Sequence, residues 1–587
     1  MDPKTLALIQ AARAKHAAKL AAQQAAERGD PAILSSNQPA QSVVLHLSET
    51  DKHRQAVTSK LVFNEEQLAA IELGLQGKSF CLIGAAGTGK TTTTQELIAR
   101  VQRAAHMRPL ADATKHLIKD NPAIVICGYT NKAVNNIRKK LPENLQAHCL
   151  TIHKLLEYQP VHYEVPDDQG NMNTTMRFEP ARNAANTLPH ISTIIFEESS
   201  MIGIDLYGEV IAALPNPART QVIFLGDLNQ IPPVFGPAIL GFKLAELQTV
   251  ELKTVYRQAL ASPIISLATA LRTNNPSGNE EGSVSWQALA DKLKETIKQD
   301  AGEHGSVTLH PWKKRIDKES ALVVMKSFLP RIIANGEYNP EEDMILCPFN
   351  KSFGTIELNK IIADYLAKQR SAIVFEVIAR YQRSYWAVGD RVMVDRHEAI
   401  ITKIEKTIGY GGKLPVTESK TLDRWGIDPE NQETQTIMSA DQILNELDRL
   451  GGSSDDETKN LASHTITVHI PDLGIDKTLN TAGEINSMLF GYCLTIHKSQ
   501  GSEWQNVFLF LHDSHATMIS RELIYTAVTR AKHKLYVICE GDNAGKRNSL
   551  LRAAERPIIP GTTLPEKLAF FVEKAKSMKN VATGDEE

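Results

Sequence analysis

The sequence predicts an α/β fold with two parallel sheets, because short apolar runs alternate with helical or polar segments in two separate stretches of the chain. In the first stretch these strand-like runs are SFCLIG (79–84), AIVICGY (123–129), STIIFEE (192–198) and QVIFLGD (221–227). In the second stretch they are DMILCPFN (343–350), GYCLTIH (491–497), NVFLFLH (506–512) and KLYVICE (534–540). A chain of 587 residues has room for about three or four domains, so we expect further segments around these two halves.

Segments of different composition flank and interrupt the two halves. Residues 1–29 are rich in Ala, Gln and Lys and predict a helix, either a partner-binding element or a solvated extension, and residues 30–55 predict a linker. Two β-prone runs around DDQGN predict a β-hairpin at 159–186. The predicted domains are 56–158 with 187–255, 256–389 with 486–550, a small β-rich, SH3-like insertion at 390–485 with a helix at 440–450, and a C-terminal helix with an acidic tail at 551–587.

The composition is that of a soluble globular protein, with 42% hydrophobic and 23% charged residues. A net charge of −3 gives no overall nucleic-acid signature, although a local basic stripe is enough for a groove that binds phosphates. The sequence shows no apolar signal segment and no run approaching 18 apolar residues, so we expect a cytoplasmic protein, in the nucleoid or in an infected cell, and no membrane contact. The cysteines are scattered without a CxxC pair and predict reduced thiols in cores: Cys81, Cys127, Cys149, Cys347, Cys493 and Cys539.

A phosphate-binding loop is predicted at GAAGTGKT (84–91), which matches GxxxxGK[ST] between a strand and a helix. Its glycines let backbone N–H groups close around phosphates, and the helix N-terminus adds partial positive charge. We expect Lys90 to reach the β- and γ-phosphates of ATP and the Thr91 hydroxyl to bind Mg²⁺. The predicted nucleotide contacts of this segment are Gly84, Gly87, Thr88, Gly89, Lys90, Thr91 and Thr92.

Two acidic residues end the strand-like run IIFEESS, about a hundred residues after the loop. One carboxylate, Glu197, is expected to hold Mg²⁺, and the next, Glu198, to orient the attacking water. The usual residue at the first of these positions is Asp, so the extra methylene of Glu197 is expected to alter the metal geometry slightly. The two acids could also be merely a solvated strand end, but the phosphate-binding loop favours the catalytic interpretation.

Further motifs distinguish a motor from a simple ATPase, and in this order they resemble those of superfamily 1 helicases from about residue 61 to 545. Within this superfamily the chain is most similar to the RecD/Dda-like branch, superfamily 1B. The similarity lies in the motif V sequence, in the GDxxQ[IL]PP pattern of motif III, and in the hairpin between LTIH (150–153) and the IIFEE strand. The resemblance implies two RecA-like domains and 5′-to-3′ translocation on single-stranded DNA. The motifs are FNEEQ (63–67, Q motif), GYTNKA (128–133, Ia), LTIH (150–153, Ib), GDLNQIPP (226–233, III), VYRQ (255–258, IV), LTIHKSQGSEW (494–504, V) and ELIYTAVTRAKHKLYVI (522–538, VI).

The resemblance also implies roles for single residues. Gln67 is expected to contact adenine and Glu503 the ribose, while Gln230 senses the γ-phosphate. Arg257 and Arg530 come from outside the phosphate-binding loop, and either can stabilise the charge that develops on the γ-phosphate. Polar side chains suited to phosphate contacts, or alternatively to capping loops, are the candidate grips on the strand: Thr130, Asn131, Thr151, His153, Asn350, Thr495 and His497.

The hairpin stands where the family carries its strand-separating pin, with Phe178, Tyr163 and Met172 as the apolar candidates at or near its end. The expected partners are single-stranded and forked duplex DNA, and a single-strand-binding or replication protein at the N-terminal helix or C-terminal tail; we expect a monomer. Two other functions stay open, a nucleic-acid-stimulated ATPase that acts as a switch or assembly subunit, and an RNA-directed helicase of the same superfamily. No nuclease constellation is present in the sequence.

Overall fold

The computed structural model describes residues 63–583 except 107–123, 142, 147, 167–171, 190, 234–235, 257–260, 274–290, 292–294, 296–304, 313–316, 352, 381, 395–396, 409, 411–417, 420–460, 472 and 541–548. The predicted N-terminal helix and linker, Arg257, the helix at 440–450 and the acidic end of the tail lie outside the described residues. No helix among the described residues combines the length and the apolar character needed to cross a membrane.

A parallel sheet forms the first domain, as the sequence predicts. The strands of this half are β1 (Phe80–Gly84), β2 (Ile124–Gly128), β3 (Cys149–Thr151), β4 (Tyr158–Pro166), β5 (Met172–Pro180), β6 (Thr193–Glu197), β7 (Gln221–Gly226) and β8 (Gln248–Leu252). The sheet has the order β3-β2-β6-β7-β1-β8, and all its pairs are parallel. Strands β1, β2 and β7 are buried along their whole length, which explains their continuous apolar sequence.

A second parallel sheet forms the second domain, in the order β19-β10-β20-β21-β9. The strands of this half of the chain are β9 (Ser306–Trp312), β10 (Met344–Cys347), β11 (Val374–Ala379), β12 (Gln382–Ala387), β13 (Arg391–Val394), β14 (His397–Lys406), β15 (Glu418–Ser419), β16 (Leu461–Ile470), β17 (Ile475–Thr481), β18 (Leu489–Phe490), β19 (Cys493–Thr495), β20 (Trp504–Leu511) and β21 (Ala531–Glu540). The second sheet therefore confirms the two-part α/β plan.

Helices cover both parallel sheets, with hydrophobic clusters on either side of each. They are α1 (Glu65–Leu75), α2 (Lys90–His106), α3 (Asn131–Arg138), α4 (Glu143–Gln146), α5 (Ile152–Leu155), α6 (Ile204–Ala213), α7 (Ile239–Glu246), α8 (Pro263–Thr273), α9 (Lys318–Ala334), α10 (Thr355–Gln369), α11 (Ala482–Ser487), α12 (Arg521–Val528), α13 (Ser549–Ala554) and α14 (Leu564–Thr583). Helix α14 packs against α7 of the first domain, although it follows the second domain in the chain.

An antiparallel sheet interrupts the second domain, in the order β12-β11-β16-β14-β13-β18, with β15 on β11 and β17 on β16. It begins at Val374, earlier than the predicted boundary at residue 390, because β11 and β12 belong to it. The turn between these two strands contains no Gly, Pro or Asn; instead Arg380 adopts a φ of +57°. A turn of this kind contains none of the residues by which turns are recognised in a sequence.

The predicted hairpin is formed by β4 and β5, which pair from Tyr158↔Pro180 to Pro166↔Met172. Its base is anchored to the first domain, since the Arg182 guanidinium donates to the Glu157 carboxylate at 2.8 and 3.0 Å. The prediction that Phe178 lies at or near the end of the hairpin is wrong. Phe178 pairs opposite Pro160, close to the base, where its side chain is 62% exposed.

Candidate active site

The loop GAAGTGKT joins β1 to α2 in a backbone conformation that needs its glycines. Gly87 and Gly89 have φ of +83° and +76°, in the left-handed region that favours glycine. A Cβ at Gly84 would lie 2.6 Å from the Thr88 hydroxyl, which is itself buried in the loop. Helix α2 begins at Lys90, so the N-terminus of this helix opens directly onto the loop.

Lys90 lies among carboxylates at the bottom of this site. Burial would lower the pKa of its ammonium group, but the charges of Glu198, Asp227 and Glu197 outweigh burial and raise that pKa, against a smaller opposing effect of Arg530. Lys90 is therefore held in its charged form. A partly buried cation of this kind is suited to binding phosphate oxygens.

The two predicted acids lie side by side at the end of β6. Glu197 is the last residue of the strand, and Glu198 turns the backbone sharply with a φ of +50°. The Oε2 atom of each carboxylate is buried and accepts no hydrogen bond from the described residues. Burial, together with the neighbouring charge of Glu198, raises the pKa of Glu197 in spite of Lys90. Because unsatisfied buried carboxylate oxygens are costly, this pair fits a divalent cation, and Thr91 lines the same cleft, with Thr92 next to it in the first turn of α2.

Gln67 lies on the other side of the loop and is 2% exposed. It closes a capping box on α1, since Asn64 Oδ1 accepts from the Gln67 backbone N–H at 2.8 Å and Gln67 Oε1 accepts from the Asn64 N–H at 3.0 Å. The Tyr256 hydroxyl also donates to Gln67 Oε1, at 2.7 Å. The Gln67 amide thus lies beside Gly89, where a Cβ would approach its Nε2 to 3.0 Å. Tyr256 was not predicted from the sequence, because a contact across 189 residues leaves no local pattern.

The second domain contributes Arg530 and Glu503 to the same cleft. Arg530 is buried, and its guanidinium Nη1 donates to the Ser502 carbonyl oxygen at 3.1 Å. Glu503 is half-exposed and forms a 3.4 Å ion pair with Lys532. Residues predicted from both halves of the chain therefore meet around one cleft, whose lining is Thr91, Ala133, Asn136, Ile137, Lys140, Glu197, Glu198, Gly501, Glu503 and Arg530.

Gln230 lies where the two parallel-sheet domains meet. Its side chain is buried, and its Oε1 accepts no hydrogen bond from the described residues. Beside it, the Tyr525 hydroxyl donates to Asp227 Oδ2 at 2.7 Å and accepts from the Ala86 N–H of the phosphate-binding loop at 3.0 Å. Tyr525 was not predicted from the sequence, although it stands in the motif VI segment (522–538), because no sequence pattern distinguishes it from a core tyrosine.

The candidate strand contacts of the first domain lie at helix N-termini. The Thr130 hydroxyl caps α3, whose first residue is Asn131, and the Thr151 hydroxyl caps α5. The His153 ring lies between two aromatic rings, 5.8 Å from Tyr129 and 4.9 Å from Tyr158 between centroids. The structure therefore shows capping for both threonines, although a hydroxyl that accepts a backbone N–H keeps its own hydrogen to donate.

The candidate strand contacts of the second domain show the same pattern. Asn350 Oδ1 accepts from the Thr355 hydroxyl at 3.0 Å, and the Thr495 hydroxyl accepts from the Lys498 N–H at 3.3 Å. His497 begins a short 3₁₀ turn, and partial burial lowers the pKa of its imidazole.

The domains touch through a glycine of motif V. Gly501 has a φ of +75°, and a Cβ there would lie 3.2 Å from the Thr130 hydroxyl and 3.1 Å from Ala133 Cβ. Its carbonyl oxygen accepts a hydrogen bond from the Asn136 side chain. The contacts of Gly501 therefore join the lining of the cleft to the candidate strand contact Thr130.

An ion-paired group joins the first domain to the antiparallel insertion. Glu398 of β14 pairs with Lys132 of α3 and with Arg391 of β13. Burial would raise the pKa of Glu398, but Arg391 and Lys132 lower it to about 2. The Lys132 ammonium also lies 4.7 Å from the centroid of the Trp504 ring. The insertion is thus connected electrostatically to the helix that follows motif Ia.

Comparisons with known proteins agree with this arrangement. Residues 67–236 match the family model described as "AAA domain", and residues 490–538 match the "UvrD-like helicase C-terminal domain". The chain is 24% identical over 520 residues to the RecBCD enzyme subunit RecD of Mycolicibacterium smegmatis, covering 86% of this chain and 75% of that protein. It is 25% identical over 475 residues to the ATP-dependent RecD2 DNA helicase of Deinococcus radiodurans, covering 81% of this chain and 48% of that protein.

A solved structure of Pif1 helicase from Bacteroides, in complex with ADP-AlF3 and ssDNA, aligns with a TM-score of 0.43 at 15% identity, over 89% of this chain and 99% of that one. The matched domains and the RecD relatives agree with the phosphate-binding loop, the paired acids and the second-domain arginine. They bear out the resemblance of this chain to RecD-like helicases of superfamily 1B, and they support an enzyme that hydrolyses ATP.

Proposed function

We propose that this protein moves 5′ to 3′ along single-stranded DNA and separates the strands of a forked duplex. The observation that carries the proposal is the contact of Gly501 with Thr130 and Asn136. This contact lies between the ATP cleft and the candidate strand contacts. A change in the distance between the domains on hydrolysis therefore moves one set of strand contacts relative to the other.

In this proposal the residues of the cleft divide the work of hydrolysis. Lys90 binds the β- and γ-phosphates, and Glu198 orients the attacking water. Thr91 and Glu197 hold Mg²⁺, which neutralises phosphate charge when it is bound. Arg530 stabilises the charge that develops on the γ-phosphate. The remaining assignments are Gln230 as sensor of the γ-phosphate, Arg257 as second arginine, Gln67 for adenine, Glu503 for ribose, and the glycines with Thr88 and Thr92 for phosphate contacts.

The strand contacts are polar groups that hold phosphates without reading base sequence. On the first domain they are Thr130, Asn131, Thr151 and His153, and on the second domain Asn350, Thr495 and His497. The tip of the β4–β5 hairpin acts as the pin that keeps the strands apart. We assign Phe178, near the base, to contact with the DNA that leaves the pin. We expect a single-strand-binding or replication protein to bind at the N-terminal helix or the C-terminal tail.

Single-stranded DNA is expected to stimulate ATP hydrolysis strongly, because the cleft and the strand contacts share the Gly501 contact. The affinity for DNA should fall with salt: the logarithm of the binding constant, plotted against the logarithm of the salt concentration, should have a slope of about −0.7 per phosphate contact. A coupled ATPase assay with oligo-dT, repeated with oligo-rU and at several salt concentrations, measures both quantities. A rate indifferent to either strand would favour an ATPase switch, and stimulation by oligo-rU alone would favour an RNA-directed helicase.

A partial duplex with a single-stranded 5′ tail alone is expected to be unwound, and one with a single-stranded 3′ tail alone is expected to stay intact. The reason is the assigned polarity, since the motor must load on the strand that it follows. Unwinding is measured by separation of fluorescently labelled strands, with the blunt duplex as control. Unwinding of the 3′-tailed substrate alone would reject the polarity and leave the ATPase assignment standing.

A further inference from the structure

The C-terminal segment from Arg556 to Thr583, which we call the strap, contacts both parallel-sheet domains. Its first part is bound to the N-terminus of α12 in the second domain. There Arg521 Nη2 donates to the carbonyl oxygens of Ile559 at 2.8 Å and Gly561 at 2.9 Å, and Glu522 Oε2 accepts from the Ile558 N–H at 2.8 Å. Helix α12 carries Tyr525 and ends just before Arg530, so the strap holds the N-terminus of the helix whose other end leads to the cleft.

The second part of the strap is α14, which is built into the core of the first domain. Phe571 of α14 belongs to the hydrophobic cluster on one side of the first sheet, as does Ile559, which precedes the helix in the strap. A Cβ at Gly241 of α7 would lie 2.1 Å from a ring atom of Phe571, and the Phe571 ring is 5.9 Å from that of Phe242. The close fit fixes α14 on α7, the first helix after motif III.

Lys567 of α14 extends from this packed helix into motif III. It is 3% exposed, and its ammonium group donates to Asn229 Oδ1 at 2.6 Å and to the Leu228 carbonyl oxygen at 3.5 Å. Burial and the charge of Arg521 lower the pKa of Lys567 to about 8, against the charges of Asp227 and Glu522, with a smaller lowering by Arg272. The ammonium form therefore predominates at neutral pH, and a buried ammonium is costly unless its partners stay in place.

The partners of Lys567 continue into the phosphate-binding loop. Asn229 donates to Asp227 Oδ1 from both its backbone N–H and its side chain, at 2.9 Å each. Asp227 in turn accepts from Tyr525, which accepts from Ala86 of the loop. A connected set of hydrogen bonds thus runs from the strap, past Gln230, to the ATP site.

We infer that Lys567 is a positioning residue for ATP hydrolysis, which holds the motif III turn at Asn229 so that Gln230 faces the cleft. The inference deepens the proposed function and rests on its assignment of Gln230 as sensor of the γ-phosphate. Through α12, the strap also ties this turn to the helix that precedes Arg530. The position of the two domains relative to each other is thereby linked to the position of Gln230.

Lys567→Met is expected to lower kcat for ATP hydrolysis by about tenfold, the effect of losing a hydrogen bond to a charged group, while the KM for ATP changes less than about twofold. Lys576→Met, the same change at an exposed position of α14, is the matched control and should match the wild type. Steady-state ATPase assays of the full chain, with and without saturating oligo-dT, give both constants, and thermal melting checks the fold.

A double-mutant cycle tests whether Lys567 acts through Asn229. Asn229→Ala alone should lower kcat similarly, and Lys567→Met should add less than about twofold in that background, because both variants break the same connection. An unchanged kcat in Lys567→Met, or additive losses, would overturn the inference. If Lys567→Met fails to fold, an unchanged kcat in Asn229→Ala overturns it instead. The ratio of wild-type rates with and without oligo-dT tests the proposed function separately.

Discussion

Replacing Lys90 with alanine is expected to abolish ATP hydrolysis, by about 100-fold to 1000-fold in kcat, the loss seen when one preorganised charge is removed from a reacting group. Lys90 is partly buried, and the negative charges of Glu198, Asp227 and Glu197 outweigh the effect of burial and raise its pKa. Without the ammonium group, the incoming phosphates meet three acidic side chains. Of the other cations at the cleft, Lys140 also lines it, and the Arg530 guanidinium is occupied by hydrogen bonds to the carbonyl oxygens of Ser502 and Thr526 and to the Thr529 hydroxyl.

Binding of single-stranded DNA by the Lys90→Ala variant is expected to remain within about threefold of the wild type, because the strand contacts at Thr130 and Thr151 lie at other helix ends. Fluorescence anisotropy with labelled oligo-dT measures binding, and phosphate release measures hydrolysis. Lys78→Ala is the control, since Lys78 is exposed just before β1. Hydrolysis that persisted in Lys90→Ala would remove the phosphate-binding loop from the mechanism.

Replacing residues 159–179 of the hairpin by a short Gly-Ser turn is expected to reduce unwinding of a forked duplex by more than about tenfold. Opening one base-pair step costs on the order of 1.4 kcal/mol, and without a rigid wedge the separated strands reanneal behind the motor. The cut leaves the base intact, because Tyr158, Glu157 and Arg182 keep their contacts with the first domain. Hydrolysis stimulated by single-stranded DNA should therefore stay within about twofold of the wild type.

Strand separation and ATPase assays on the same preparation separate the two effects. Phe178→Ala serves as a graded comparison and should reduce unwinding only mildly, because Phe178 lies near the base of the hairpin. Wild-type unwinding by the hairpin replacement would reject the pin assignment. A parallel loss of hydrolysis would show instead that the hairpin supports the fold of the first domain.

In the first parallel sheet, the strands that the sequence predicts correctly are those buried on both faces. Strands β2 and β7 are short apolar runs bounded by polar segments, and burial on two sides requires that pattern. The edge strand β8 is only partly buried, its sequence QTVEL mixes polar and apolar residues, and it was not predicted. Sequence patterns therefore describe the centre of this sheet better than its edges.

In the candidate site, local segments could be predicted from the sequence and long-range contacts could not. The phosphate-binding loop and the paired acids are local segments, and their spacing is enough to predict them. The hydrogen bonds of Tyr525 to Asp227 and of Lys567 to Asn229 join residues 298 and 338 positions apart, and such pairs are fixed only by tertiary packing. The position of Phe178 was wrong because the second strand of the hairpin ends at Pro180, well before the predicted end at residue 186, and this places Phe178 close to the base.

The strap also determines how the enzyme is able to move. The chain crosses from the first domain to the second between Leu252 and Pro263, and it crosses back between Ala554, at the end of α13, and Leu564, at the start of α14. Two bodies joined at two separate points lose most of their freedom to translate and twist, and the line through the two points becomes their common axis. We therefore expect opening of the cleft to be mainly a rotation about that axis.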